Sequence, residues 1–194
     1  MNVLILGGTR YVGLSLVKKM QSHNKFTNIQ TLSRQNKKSF SDHFLLDRAN
    51  TVALEKIILK LKPDIIIDLI CFTKKDANSI LDLKRRGVLS SIKHYIVISS
   101  FFVYNYFDLK DFREKKLQQK NLINTIEDTY TKNKIEMELA LASPYLDKIL
   151  SIIRFPYIFS WDDYTNRFQS LCEIAITNKI ESFKSDFNFS MISK

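Results

Sequence analysis

Tyr130 and Lys134 stand four positions apart in the run Tyr130-Thr131-Lys132-Asn133-Lys134. On a helix that spacing puts both side chains on one face. The pair could move a proton. A free phenol has a pKa of about 10 and is a poor base at neutral pH, but a neighbouring ammonium favours its ionised form. Such chemistry needs a substrate oxygen within reach of the phenol. The spacing allows this geometry without requiring it, because the chain has eight tyrosines and is rich in lysine.

Glycine gives the second chemical signal. The chain has four glycines, and Gly7, Gly8 and Gly13 lie close together near its start. They follow the apolar run Val3-Leu4-Ile5-Leu6 directly and open an amphipathic stretch from Tyr11 to Gln21. A tight strand-to-helix turn of this kind lets backbone N–H groups and a helix N-terminus approach a pyrophosphate, which a Cβ would obstruct. The alternative is a tight turn with no ligand.

The elements that must position these residues alternate along the chain. Val3–Leu6 reads as a parallel strand buried on both faces. Asn28–Leu32 and His43–Leu46 read as the second and third strands, and Thr51–Leu61 as a helix stopped by Lys62-Pro63. Asp64–Cys71 is a central strand, Lys74–Leu83 a helix ended by Gly87, and Tyr95–Ile98 a fifth strand running into Ser99-Ser100. A polar segment from Asp108 to Lys120 reads as a loop or mobile helix. Ile126–Ala142 is a long helix stopped before Pro144, and Ile149–Ile153 is a sixth strand followed by Pro156. This alternation predicts an α/β fold of Rossmann type, a doubly wound parallel sheet in the order 3-2-1-4-5-6 with helices on both faces.

Composition narrows the class. No apolar run approaches the roughly 18 residues of a membrane span, so no membrane partner is expected. The apolar N-terminus lacks a preceding basic segment and reads as a strand, not a secretory signal. Cys71 and Cys172 show no CxxC spacing, which argues against a zinc site or disulfide framework and points to a reducing cytoplasm. The net charge of +10 is spread over Lys37-Lys38, Lys74-Lys75, Lys84-Arg85-Arg86 and Lys115-Lys116. Scatter of this kind fits a solvated basic surface, with nucleic acid or an anionic cofactor as the alternatives.

The run Leu4-Ile5-Leu6-Gly7-Gly8-Thr9-Arg10-Tyr11-Val12-Gly13 resembles the nucleotide loop of extended short-chain dehydrogenases/reductases, the NAD-dependent epimerase/dehydratase group. The usual middle glycine of that loop is Arg10 here, as in a subgroup with a G-G-T-R-aromatic-x-G loop, which sets a guanidinium beside the phosphates. The resemblance covers about residues 1–170. It implies a cofactor loop of Gly7, Gly8, Thr9, Arg10, Tyr11, Val12 and Gly13. It also implies a catalytic set of Ser100, Tyr130 and Lys134. Ser99-Ser100-Phe101-Phe102-Val103-Tyr104 is similar to the family's S-S-x-x-V-Y, and Tyr130 to Lys134 to its Y-x-x-x-K. Ser100 would hold a substrate oxygen, Tyr130 would exchange a proton with it, and hydride would pass to or from the nicotinamide.

Further matches extend the set. Leu45-Leu46-Asp47-Arg48 resembles the segment after the third strand whose aspartate contacts adenine, so Asp47 and Arg48 join the cofactor residues, with a helix-cap or loop role for Asp47 as the alternative. Arg154-Phe155-Pro156-Tyr157 resembles the family's R-x-P, which places Pro156 near the nicotinamide. Asp163-Tyr164-Thr165-Asn166-Arg167 is also similar to the subgroup, whereas Ser160-Trp161 replaces the family's usual Gly-Pro.

The choice of cofactor turns on the end of the second strand. A carboxylate there would bind the ribose 2′-hydroxyl. The chain instead has Leu32-Ser33-Arg34, and Arg34 could pair with a 2′-phosphate, which favours NADP over NAD. Arg34 as a solvated loop residue is the alternative. Residues 1–160 are expected to form the NAD(P)-binding domain and residues 161–194 the start of a truncated C-terminal substrate region. The expected activity is hydride transfer on a small carbonyl or nucleotide-sugar-like substrate. The resemblance also implies a homodimer formed through helices, one of them including Tyr130–Ala142. Two other readings stand beside this one. The Arg10-type loop is also similar to that of chloroplast stem-loop RNA-binding proteins, and a truncated nucleotide-binding fragment would be inactive.

Overall fold

The computed structural model describes residues 1–35, 42–106, 126–158 and 166–177. The chain divides into two compact units, Met1–Tyr157 and Ile158–Lys194. In the first, six strands form one sheet: β1 (Asn2–Leu6), β2 (Asn28–Ser33), β3 (His43–Leu45), β4 (Ile65–Asp68), β5 (His94–Ser100) and β6 (Leu150–Phe155). Between them lie helices α1 (Tyr11–Gln21), α2 (Thr51–Leu61), α3 (Lys74–Arg85) and α4 (Thr129–Leu141), with a 3₁₀ turn over Phe101–Tyr106. In the second unit, α5 spans Arg167–Ile176.

All pairings are parallel, in the order β3-β2-β1-β4-β5-β6. The Rossmann-type expectation and its strand order hold. The central strand β1 is sealed on both faces, and the alternation along it assigns each face a partner. Val3 and Ile5, with Ile65 and Ile67 of β4, pack against Val17 and Met20 of α1. Leu4 and Leu6, with Ile66, Tyr95 and Val97, pack in one cluster with Leu54 and Ile58 of α2, Ile80 of α3 and Met137 and Leu141 of α4.

Local chemistry sets the helix ends. The Asn50 side chain accepts from the backbone N–H of Ala53 at the start of α2, and Lys62, in the left-handed region at φ 44°, ends the helix before Pro63. Thr73 and Asp76 form a reciprocal capping box on α3. Gly87, at φ 78°, turns the chain away from the end of α3.

Some boundaries differ from the sequence expectation. The helix expected from Ile126 begins at Thr129, because the Asp128 carboxylate caps it by accepting from the N–H groups of Tyr130 and Thr131. The fourth strand is Ile65–Asp68, not Asp64–Cys71. Asp64 caps β1 by accepting from the N–H of Asn2, and the Asp68 side chain folds back onto the N–H of Ile70. α3 continues to Arg85, and β6 ends at Phe155. Lys37-Lys38, the segment Asp108–Lys120 and Ser160 to Thr165 lie outside the described residues.

Candidate active site

A parallel sheet gathers all its strand ends at one edge. Here Leu6 of β1 stands beside Leu32 of β2 and Asp68 of β4, and Ser100 of β5 stands beside Phe155 of β6. The glycine loop, Arg34, the segment after β4, Ser100 and Pro156 therefore leave the sheet at the same edge. In open α/β sheets this is the edge that binds ligands.

The glycine loop is built so that side chains cannot enter it. Gly7 has φ 91°, and a Cβ there would meet Ile70 Cγ2 at 2.6 Å. One on Gly8 would meet Thr31 Cγ2 at 2.7 Å. One on Gly13 would overlap the carbonyl oxygen of Gly7 and lie 2.9 Å from Gly8 Cα. The last case is backbone against backbone: α1 starts as close to the end of β1 as the chain allows. Arg10 occupies the N-cap without a side-chain cap bond, and Tyr11, the first helical residue, has φ 45°. The Arg10 Nε donates to Gln35 Oε1 at 2.7 Å, which ties the loop to the chain leaving β2. Thr9 is buried and donates to Ser33 Oγ at 3.0 Å. Val12 and Gly13 complete the first turn.

At the end of β2, Ser33 is buried and Arg34 is exposed. The Ser33 hydroxyl donates to the Gln35 carbonyl at 2.9 Å, and His43 bridges Thr31 and Gln35 from β3. Ser33 fills the terminal position of the strand, where a ribose-binding carboxylate would stand. Asp47 is exposed, and its carboxylate accepts from the N–H of Ala49, a loop-capping role.

The three residues of the expected catalytic set differ in environment. Ser100 is buried at the end of β5, and its Oγ accepts a 3.3 Å contact from the N–H of Phe102. Lys134 is also buried. Its Nζ donates to the carbonyls of Cys71 at 2.9 Å and Ile98 at 2.8 Å, and lies 4.6 Å from the centre of the Phe72 ring. Burial pushes the Lys134 ammonium down to about 8, although nearby anionic groups pull the other way. Tyr130, one turn earlier on α4, is 46% exposed. The structure thus ties Lys134 to Cys71, in the segment after β4, and to Ile98 of β5, two residues before Ser100, and leaves the Tyr130 side chain open to solvent. Pro156 is exposed just past β6.

Sequence reasoning placed Arg48 with the cofactor residues; the structure gives its guanidinium to two carboxylates. Arg48 is buried. Its Nη2 donates to Asp68 Oδ2 at 2.7 Å, and its Nη1 lies 2.6 Å from Asp76 Oδ1 as an ion pair without hydrogen-bond alignment. Burial opposes the charge of Arg48, but Asp68 more than restores it and holds the guanidinium protonated. The buried Tyr95 hydroxyl donates to Asp68 at 3.0 Å. A second buried pair, also absent from the expected set, joins Arg154 of β6 to Glu138 of α4 through both carboxylate oxygens, with the guanidinium 4.7 Å from the Tyr104 ring. The available signal for the first network was Asp68 itself. A carboxylate inside an apolar strand needs a charged or hydrogen-bonding partner.

No family model matches the sequence, and no curated protein is significantly similar to it in sequence. Solved structures share the fold. dTDP-glucose 4,6-dehydratase from Bacillus anthracis, in complex with NAD, superposes with a TM-score of 0.67 at 16% identity, over 92% of this chain and 62% of that one. L-threonine dehydrogenase from Phytophthora infestans gives 0.62 at 15% identity, over 82% and 55%. UDP-glucose 4-epimerase from Thermotoga maritima, with UDP-glucose, gives 0.56 at 15% identity, over 79% and 55%. The chain therefore spans less than two thirds of each of these three.

Proposed function

We propose that this chain is an NAD(P)-dependent oxidoreductase or epimerase of the extended short-chain dehydrogenase/reductase group. The observation that carries the reading is convergence at one sheet edge. A cradle at Gly7, Gly8 and Gly13 that admits no Cβ opens beside strand ends where Lys134 is bonded to Ile98, two residues before Ser100. Backbone N–H groups of the loop and of the first turn of α1 would hold a dinucleotide pyrophosphate, and a nicotinamide so bound supplies or accepts hydride.

The chain's own residues would manage the substrate oxygen. Ser100 donates a hydrogen bond to it, and Tyr130, reachable from solvent, exchanges a proton with it. Lys134 keeps a positive charge one helical turn away. Asp128 caps α4 at the turn that carries Tyr130. Residues 161–194 would be the start of a substrate-side region.

The end of β2 supports NADP: Ser33 stands where a carboxylate would be, and Arg34 is exposed beside it. Three solved structures of similar fold hold NAD, so the preference rests on these two residues. Tyr130→Phe tests the chemistry. Against a panel of carbonyl and nucleotide-sugar substrates it should abolish turnover while leaving dinucleotide affinity nearly unchanged. Turnover equal to that of the unmodified chain would rule out the role given to Tyr130.

A further inference from the structure

We infer that Arg48 is a positioning residue for Lys134, clamping the segment whose Cys71 carbonyl anchors the Lys134 ammonium. Its catalytic meaning rests on the proposed function; the clamp itself does not.

The segment from Leu69 to Thr73 links β4 to α3 and is tied at both ends. At its start, the N–H of Leu69 bonds to the carbonyl of Leu6 at 3.0 Å, and Asp68 Oδ1 accepts from Ile70 at 3.1 Å. At its end, Asp76 Oδ2 accepts from the N–H groups of Phe72 at 3.0 Å and Thr73 at 2.9 Å, and from the Thr73 hydroxyl at 2.9 Å. The side-chain ties at each end use one oxygen of an aspartate. The other oxygen of each faces the same guanidinium, that of Arg48. Cys71 lies in the middle, and its carbonyl is the one that Lys134 bonds. Movement of either aspartate would displace that carbonyl, and with it one of the two bonds that fix the ammonium.

Arg48 suits this task in a way a lysine would not. Its two terminal nitrogens reach one carboxylate each, whereas an ammonium is a compact point charge. Burying a cation with two carboxylates is also a poor route to stability, since desolvation can exceed the attraction gained. Holding a geometry is the use that remains.

The test reads Lys134 directly, in the full chain without cofactor. Hydrogen exchange at its side-chain ammonium is followed by ¹H–¹⁵N NMR, with Lys134→Arg to assign the signal. Arg48→Lys and Asp76→Asn should speed exchange by about tenfold, the factor expected when one charged hydrogen bond is weakened. Met20→Ala, a truncation in the separate core cluster under α1, should lower the unfolding midpoint without changing the exchange. Unchanged exchange in either folded clamp variant would overturn the inference, as would equal acceleration in Met20→Ala. The dinucleotide titration is separate: its failure with the NMR result intact would remove the enzyme reading and leave the clamp.

Discussion

The Lys134 ammonium is bonded to the carbonyl oxygen of Cys71 at 2.9 Å, joining α4 to the segment after β4 across 63 positions. Burial brings this lysine from its ordinary 10.5 down to about 8. The unfolded chain then holds the proton more tightly than the folded chain between those two values. The resulting penalty on folding is complete below about 8 and is relieved as pH rises toward 10.5. Denaturant unfolding of the wild type and Lys134→Met at pH 7 and pH 10 should show the difference moving in favour of the wild type, by at most about 3 kcal/mol. A pH-independent difference would contradict this assignment. Any turnover that depends on the charged lysine should fall above pH 8.

Gly13→Ala should disable the loop. The added carbon meets backbone on two sides, so α1 and the loop must move apart. A loss of about 1–3 kcal/mol in urea unfolding is expected, with dinucleotide binding lost. Gly87→Ala is the paired control. Its φ of 78° makes alanine unfavourable, but nothing lies within 4 Å, so it should lose about 1–2 kcal/mol with binding intact.

Arg48→Met removes the partner of a fully buried carboxylate, Asp68. Breaking a buried ion pair in this way costs about 3–5 kcal/mol, and the unfolding midpoint should fall accordingly. Tyr95→Phe removes one hydrogen bond to the same carboxylate and should cost about 1–3 kcal/mol. For Asp76, burial raises the carboxyl and Arg48 and the N–H groups outweigh it, leaving it below its ordinary 3.8. Its contribution is present above that value and is lost as pH falls below it, so Asp76→Asn should flatten the acid side of the stability curve.

Arg34→Ala tests the cofactor choice. Its side chain is exposed at the end of β2. NADPH affinity should fall about tenfold, with NADH affinity little changed. An equal change for both would place Arg34 away from the 2′-position.

The fold was legible because its signals were local. Val3–Leu6 is continuously apolar, and α1 and α2 carry apolar residues at helical spacing bounded by Gly7-Gly8 before α1 and by Lys62-Pro63 after α2. α4 was less legible at its start, because its buried stripe includes Lys134 and Glu138 beside Ile135 and Met137, and Ile126 is buried without being helical. The cradle glycines could be read from their spacing. The ion pairs of Arg48 could not, since its partners lie 20 and 28 positions away and β2 and β1 stand between β3 and β4 in the sheet. Tyr130 and Lys134 were found as a pair, but nothing in the spacing indicates that one is buried and the other exposed.

The most direct test of the account is a fluorescence titration of the folded chain with NADPH and NADH, alongside Gly13→Ala. The account predicts saturable binding of a dinucleotide by the wild type, tighter for NADPH, and none by the variant. A wild-type chain with a native circular dichroism spectrum that binds neither would contradict it.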